Sequence, residues 1–217
     1  MAGNRPILLQ HGWGFDSSMW KNWVHTSGDD DFILPDRGYF GEEKIVDVAQ
    51  VEMAVTHSFG LHLLPAELIP RLKQLVILSG FQEFHPNTPI ERTFSQRIVR
   101  YMLRNIEGDS ETVLKKFCQN CYHPDESDCP VPPVIDAKRL HEDLVSLDCH
   151  KLDINLLRLA GRIVIIHGMK DGIVPHNKAF QLQYSLPGSE IITHEDGSHM
   201  IPVTHARWCL DRMAQLS

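Results

Sequence analysis

A serine, an aspartate and a histidine, Ser58, Asp171 and His199, each stand just past an apolar, β-branched run. A serine hydroxyl attacks a carbonyl when a base takes its proton, an acid orients that base, and N–H donors hold the oxyanion that forms. Ser58 lies in Val51-Glu52-Met53-Ala54-Val55-Thr56-His57-Ser58-Phe59-Gly60, where an apolar run ends in a small polar knot before Leu61-His62-Leu63-Leu64. That order reads as strand, sharp turn and helix, and it approximates the G-x-S-x-G turn that presents a serine Oγ at the top of a sheet. Thr56 stands where the first glycine usually does.

The acid is expected at Asp171, in His167-Gly168-Met169-Lys170-Asp171-Gly172-Ile173-Val174-Pro175, on a loop that leaves a strand end. The base is expected at His199, in Gly197-Ser198-His199-Met200-Ile201-Pro202, past the last strand. Taken singly, an aspartate beside glycine is an ordinary turn residue. One histidine among 13 is likewise unremarked. The chain order Ser, Asp, His, with each residue after a strand, is what joins them into one catalytic reading. Oxyanion donors are expected from the N–H of Phe59, after the nucleophile, and of Trp13 in the glycine turn His11-Gly12-Trp13-Gly14. His194, Glu195 and Asp196 read as solvated loop residues.

These positions need a sheet whose strands end at one edge. Strands are expected at Pro6–Gln10, Phe32–Asp36, Val51–His57, Gln74–Ser79, Arg162–His167 and Glu190–Thr193. Asp16 is placed to cap a helix whose apolar face is Met19, Trp20 and Trp23. Further helices are expected after the elbow, near His176–Ser185 and over Thr204–Leu216. The dozen residues from Gly38 to Gln50 leave room for at most a short helix. Between Gly80 and Gly161 no strand is expected, only helical patches at Pro89–Ile106, Ser110–Cys121, Asp136–Leu147 and, more weakly, Leu152–Leu159. Cys129-Pro130-Val131-Pro132-Pro133 interrupts them, because proline removes backbone donors. Strands alternating with helices predict an α/β fold with a compact, mostly parallel sheet of about six strands and helices on both faces. The organisation is a core of 1–80 and 161–217 with a helical lid, 81–160, inserted over the sheet's carboxyl edge.

The 217 residues, 42% hydrophobic and 23% charged, suit a globular protein able to bury a sizeable core. A formal net charge of -7 argues against nucleic acid as a partner. No apolar run approaches bilayer-spanning length, and no targeting segment is expected ahead of the first strand. Five cysteines without framework spacing suggest reduced thiols and a cytoplasmic protein. Cys118, Cys121, His123 and Cys129 invite a zinc reading, but they lack a second pair at finger spacing, so no metal is expected.

The HGWG turn with Met19-Trp20, the elbow at Ser58, the Gly168–Pro175 acid loop and Gly197-Ser198-His199 resemble the α/β-hydrolase superfamily. Within it, the HGWG opening and the Asp-Gly-x-Val-Pro loop look most like pimeloyl-[acyl-carrier protein] methyl ester esterases. The resemblance covers about 1–80 and 161–217. It departs at Thr56, at Leu61 where a second glycine commonly follows Gly60, in the short crossover before the elbow and in the missing first hairpin. It implies a cofactor-independent serine carboxylesterase of biotin biosynthesis, with Ser58, Asp171 and His199 as triad and Trp13 and Phe59 as oxyanion donors. Its substrate would be an acyl-chain methyl ester held on an acyl carrier protein, and a monomer is expected. The alternatives are a generic short-chain esterase or thioesterase, or a non-catalytic binding module on the same fold.

Two features of the 81–160 segment bear on that substrate. Phe81 and Phe84 follow the fourth strand and are candidates to line an acyl pocket with Trp13. In Pro89–Ile106 the apolar Ile90, Phe94, Ile98, Tyr101, Met102 and Ile106 recur at helical spacing and are expected to face inward. Arg97, Arg100 and Arg104 share one stripe of the same helix, and Lys115 and Lys116 follow on the next. Such a basic stripe suits an acidic carrier protein, or else is a solvated face.

Overall fold

The computed structural model describes residues 6–27 and 31–215. Leu216, the last residue of the final helix expected from the sequence, lies outside them. Six strands form one sheet: β1 (Ile7–Gln10), β2 (Phe32–Ile33), β3 (Met53–His57), β4 (Gln74–Leu78), β5 (Arg162–Gly168) and β6 (Glu190–His194). Their order is β2-β1-β3-β4-β5-β6, and every neighbouring pair is parallel. The helices are α1 (Lys21–Ser27), α2 (Pro89–Asn105), α3 (Ser110–Tyr122), α4 (Ala137–Cys149), α5 (Ile154–Leu157), α6 (Asn177–Ser185), α7 (Ile201–Thr204) and α8 (Ala206–Ala214). This is the α/β-hydrolase fold expected from the motif order, and α2 to α5 occupy the segment between β4 and β5.

Side chains alternate between two faces along each strand, as a sheet covered on both sides requires. Leu8, Ala54, Leu75, Ile77, Ile163 and Ile165 pack on one face with Leu68, Leu72 and Leu182. Leu9, Val55, Val76, Leu78, Val164 and Ile166 pack on the other with Trp20, Trp23, Ile201 and Cys209. A third apolar cluster joins the sheet edge to the helical segment, bringing Trp13, Phe59, Phe81 and Val174 against Val99, Leu114, Leu140 and Leu144.

The pairing register sets the site. Gln10 pairs with Thr56, His57 with Leu78 and Gly168 with His194. All the strands therefore end at one edge, where open parallel sheets gather their functional loops.

Local chemistry revises four expectations. The second strand stops at Ile33. Pro35 follows closely, and Asp36 instead makes an isolated antiparallel bridge with Lys44. After Ser58 the chain forms a 3₁₀ stretch, Ser58–Leu63, and no α-helix. Pro65 excludes the helical region for the residue before it, and Leu64 is extended at φ -65°, ψ 133°. Cys118 and Cys129, expected as reduced thiols, are joined in a disulfide, with their Cα atoms 5.8 Å apart.

The fourth revision concerns α2. Of the residues expected to face inward, Ile90, Phe94, Ile98 and Tyr101 are 85%, 65%, 47% and 54% exposed and point out, whereas Met102 packs partly buried against the apolar cluster and Ile106 is fully buried, as expected. The helix packs through Val99 and the residues that lead to Ile106, both buried. Arg97, Arg100 and Arg104 are exposed on the same outward side. The apolar residues span a wide arc of the helix, and periodicity alone does not say which part of that arc meets the core.

Candidate active site

Ser58 directly follows β3 and adopts φ +54°, a left-handed conformation that non-glycine residues rarely occupy. The surroundings hold it there. A Cβ on Gly60 would lie 2.6 Å from the His11 carbonyl oxygen and 2.7 Å from that of Gln10. A Cβ on Gly12 would lie 2.9 Å from the His57 oxygen and 3.0 Å from Ser58 Cβ. The HGWG turn is thus packed against the serine turn backbone to backbone, which only glycine at these two positions permits. Thr56 fits because it sits within the strand ladder, where it is fully buried and its hydroxyl finds no partner. Leu61 lies in the apolar core.

His199 and Asp171 come together from the loops after β6 and β5. His199 Nδ1 lies 2.8 Å from Asp171 Oδ2, and both side chains are fully buried. The other carboxylate oxygen accepts the N–H groups of Ile173 at 2.9 Å and Val174 at 2.8 Å. Burial by itself would push the Asp171 carboxyl up. The His199 hydrogen bond and charge, His167 and the Val174 N–H outweigh it and hold the group below its ordinary value. Asp171 is thereby kept ionised, and an ionised Asp171 fixes the proton of His199 on Nδ1. His199 Nε2 is buried without a protein partner. Ser58, 6% exposed, is brought to the same edge, with no hydrogen bond between its Oγ and that nitrogen. A free Nε2 lone pair beside a serine turn is the arrangement that can accept a hydroxyl proton.

Three more histidines, which the sequence did not single out, frame this pair. His57 donates from Nε2 to the His199 carbonyl at 3.0 Å, and the two rings lie 4.8 Å apart. Burial, and then His199, drive His57 down to about 3, so it is neutral. His167 reaches the Val174 carbonyl at 2.8 Å through Nε2, which also lies 3.5 Å from Asp171 Oδ2. His11 accepts the Arg37 N–H at Nε2 and therefore donates from Nδ1 to the Gly12 carbonyl, both at 2.9 Å. His57 and His167 both lie in recognised motifs; the partner of His57 is a backbone carbonyl 142 residues away, which leaves no pattern to read, whereas that of His167 is seven residues on, in its own acid loop.

Trp13 and Phe59 flank Ser58 and are buried. Phe59 lies in the first turn of the 3₁₀ stretch, where N–H groups have no acceptor within the helix. The Trp13 indole donates to the Leu140 carbonyl at 2.8 Å, and Phe117 of α3 packs on its ring edge-to-face at 4.9 Å. The HGWG loop therefore also anchors α4 and α3. Phe81 is fully buried, its carbonyl 3.1 Å from His62 Nε2, and Phe84 packs on it at 5.3 Å. The arginines of α2 belong to the outer surface and are not brought to the serine edge. His194 is half-buried, whereas Glu195 and Asp196 are exposed.

A second polar anchor was not visible in sequence. Asp143 of α4 is buried and accepts Arg37 Nε at 2.7 Å, Arg37 Nη2 at 3.0 Å and the Tyr39 hydroxyl at 2.7 Å. It ties the helical segment to the loop after β2. Among the described residues, no group of three or more side chains is arranged to hold a metal ion, and no helix is long and apolar enough to cross a membrane.

No protein-family model matches the chain, and no curated protein matches it in sequence. Solved structures do match in shape. An esterase from Exiguobacterium antarcticum has a TM-score of 0.79 at 13% identity, covering 100% of this chain and 92% of its own. A hydrolase from Oleispira antarctica has a TM-score of 0.74 at 14% identity, covering 100% and 93%. A bromoperoxidase from Bacillus anthracis has a TM-score of 0.72 at 18% identity, covering 98% and 91%. At these identities the likeness is one of fold: the chain has the α/β-hydrolase fold over essentially its whole length.

Proposed function

We propose that the protein is a cofactor-independent serine carboxylesterase. The observation that carries the reading is the buried Asp171–His199 pair at 2.8 Å, with His199 Nε2 left free at the edge where Ser58 sits in a left-handed turn. Ser58 Oγ attacks the ester carbonyl carbon while His199 Nε2 takes its proton. The N–H groups of Trp13 and Phe59 hold the tetrahedral oxyanion. As the intermediate collapses, the alcohol leaves with the proton from His199, and an acyl group remains on Ser58. Water, deprotonated by His199, then attacks that acyl group, releasing the acid and restoring the hydroxyl. Asp171 stays ionised throughout and stabilises the imidazolium.

The finer reading is that the ester is the methyl ester of pimeloyl-[acyl-carrier protein], cleaved to methanol and the carrier-bound acid in biotin biosynthesis. It is supported by the HGWG and Asp-Gly-Ile-Val-Pro loops, by the apolar cluster of Trp13, Phe59 and Phe81, and by the exposed arginines Arg97, Arg100 and Arg104. An acidic carrier would meet those arginines on the outer face of the segment proposed as the lid.

The test compares hydrolysis of the carrier-bound methyl ester with that of a short p-nitrophenyl ester, with Ser58→Ala as blank. Preference for the carrier-bound ester, weakened by charge reversal at Arg97, Arg100 and Arg104, is the expected result. Turnover of the small ester alone would leave a generic esterase. Silence on both, with no phosphonate adduct on Ser58, would overturn the enzyme reading.

A further inference from the structure

On the opposite side of the acid loop from Ser58 in sequence, α6 begins with a buried cation. Lys178 is only 4% exposed, and its ammonium donates to the His85 carbonyl. Lysine is rarely buried without an anion, because the lost hydration of the ammonium is repaid only by opposite charge. The charged groups acting on it are Glu83, Arg92 and Lys151. Glu83 is already engaged, paired to Arg92 and lying 3.9 Å from Lys151 Nζ. Three cations thus face a single carboxylate.

The helix end adds to the imbalance. The first turn of α6 has no acidic residue, and no side chain caps its N-terminus, so the positive end of the helix dipole also lacks an anion. Lys178, Lys151 and Glu83 line a cleft of about 450 Å³ together with the amides of Asn87 and Gln181 and the ring of Tyr184. That is the volume of a small-molecule site.

We propose that this cleft is a binding site for a small oxyanion-bearing ligand, one with a phosphate or carboxylate headgroup, held by Lys178 and Lys151 with the Asn87 and Gln181 amides. The site does not depend on the esterase reading, and none of its residues belongs to the serine edge. Burial pushes the free Lys178 ammonium down to about 8, Arg92 and Lys151 adding to the effect against Glu83. A bound anion favours the charged form, so binding raises that value, and affinity falls as the pH rises above about 8.

A run of contacting rings, one pair stacked and the rest tilted or edge-on, links the cleft to the serine turn. Phe59 lies 5.2 Å from His62, His62 4.8 Å from Phe81, Phe81 5.3 Å from Phe84, and Phe84 5.4 Å from His85, whose carbonyl receives Lys178.

The experiment is isothermal titration of the full chain with inorganic phosphate and, separately, with glutarate, at low ionic strength. One saturable site for either probe is expected. A response to phosphate alone marks a phosphate-headed ligand, and one to glutarate alone marks a carboxylic acid. Lys178→Met should weaken binding by roughly tenfold or more, and Glu83→Gln, which removes the competing carboxylate, should tighten it several-fold. Should Lys178→Met not fold, Lys151→Gln, on a 60% exposed side chain, should still weaken binding by roughly threefold. No saturable binding of either probe below roughly 10 mM overturns the proposal, as does affinity unchanged in the lysine variants.

Discussion

The carboxyl edge of the sheet and the helical segment above it handle buried polarity in opposite ways. At the edge, His11, His57, His167, Asp171 and His199 are all 7% exposed or less, and each is held by a loop other than its own or by the backbone beside it. The helical segment instead leaves Ile90, Phe94, Ile98 and Tyr101 in solvent. It meets the core through an apolar cluster and a few placed polar contacts, the Trp13–Leu140 hydrogen bond and the Arg37–Asp143–Tyr39 group among them. A preorganised site needs the first kind of construction, since positioning a base and its acid tolerates little slack. The second kind leaves the helical segment with few strong anchors and a free outer face.

The comparison can be broken most severely at the serine. Ser58→Ala should lower ester hydrolysis by roughly 10³-fold or more and leave the melting temperature unchanged, because the loss is confined to the chemical step. Steady-state kinetics beside a thermal melt checks both halves. Next in size is the polar anchor of the helical segment. Arg37→Ala leaves Asp143 buried with only Tyr39 for a partner, and should cost about 3 kcal/mol in a denaturant titration. Losing this contact should raise proteolysis of 81–160 before it affects the sheet.

Gly60→Ala tests the edge from the backbone side. Its Cβ meets two carbonyl oxygens at 2.6 and 2.7 Å, and the forced shift should cost roughly 1–3 kcal/mol and lower activity, because it parts the HGWG turn from the serine turn. The edge should also be the acid-labile region. Burial holds His57 and His62 down to about 3, against 6.5 for a free imidazole. The unfolded chain takes up protons below pH 6.5 that these folded rings refuse. Their stabilisation is therefore complete above that pH and falls as pH drops toward their folded values, by up to about 1.4 kcal/mol per pH unit for each ring. Asp171, held below its ordinary value, adds its own loss only at lower pH still. Melts between pH 7 and 5 should show the decline, and His57→Gln should flatten it. The smallest effect is expected on the outer face: Phe94→Ser, at a 65% exposed position, should change stability by less than about 0.5 kcal/mol. A larger loss there would mean that this face is buried in solution.

The sequence reading succeeded where structure is local. Strands β1, β3, β4, β5 and β6 were legible because each is a short apolar run with punctuation after it. The helices α2 to α4 were legible because Asp109 and Asp136 cap two of them and proline opens the third. Ser58, Asp171 and His199 could be expected at one edge because each sits within a few residues of a strand end, and parallel strands must bring those ends together. What remained illegible depends on partners far along the chain. His57 acts on a carbonyl 142 residues away and Asp143 on a guanidinium 106 residues away, and neither separation has a period or a spacing.

The catalytic-type order of residues, the alternation of strands and helices and the two-faced sheet were thus written in the chain itself, because backbone sterics and the period of side-chain burial act over a few residues. Three features were settled only by folding. These are which part of the apolar arc of α2 turns inward, which of Cys118, Cys121 and Cys129 pair, and which buried histidines frame Asp171 and His199. Each is a choice between locally equivalent alternatives, and only the volume and polarity of what packs against them distinguishes one from another.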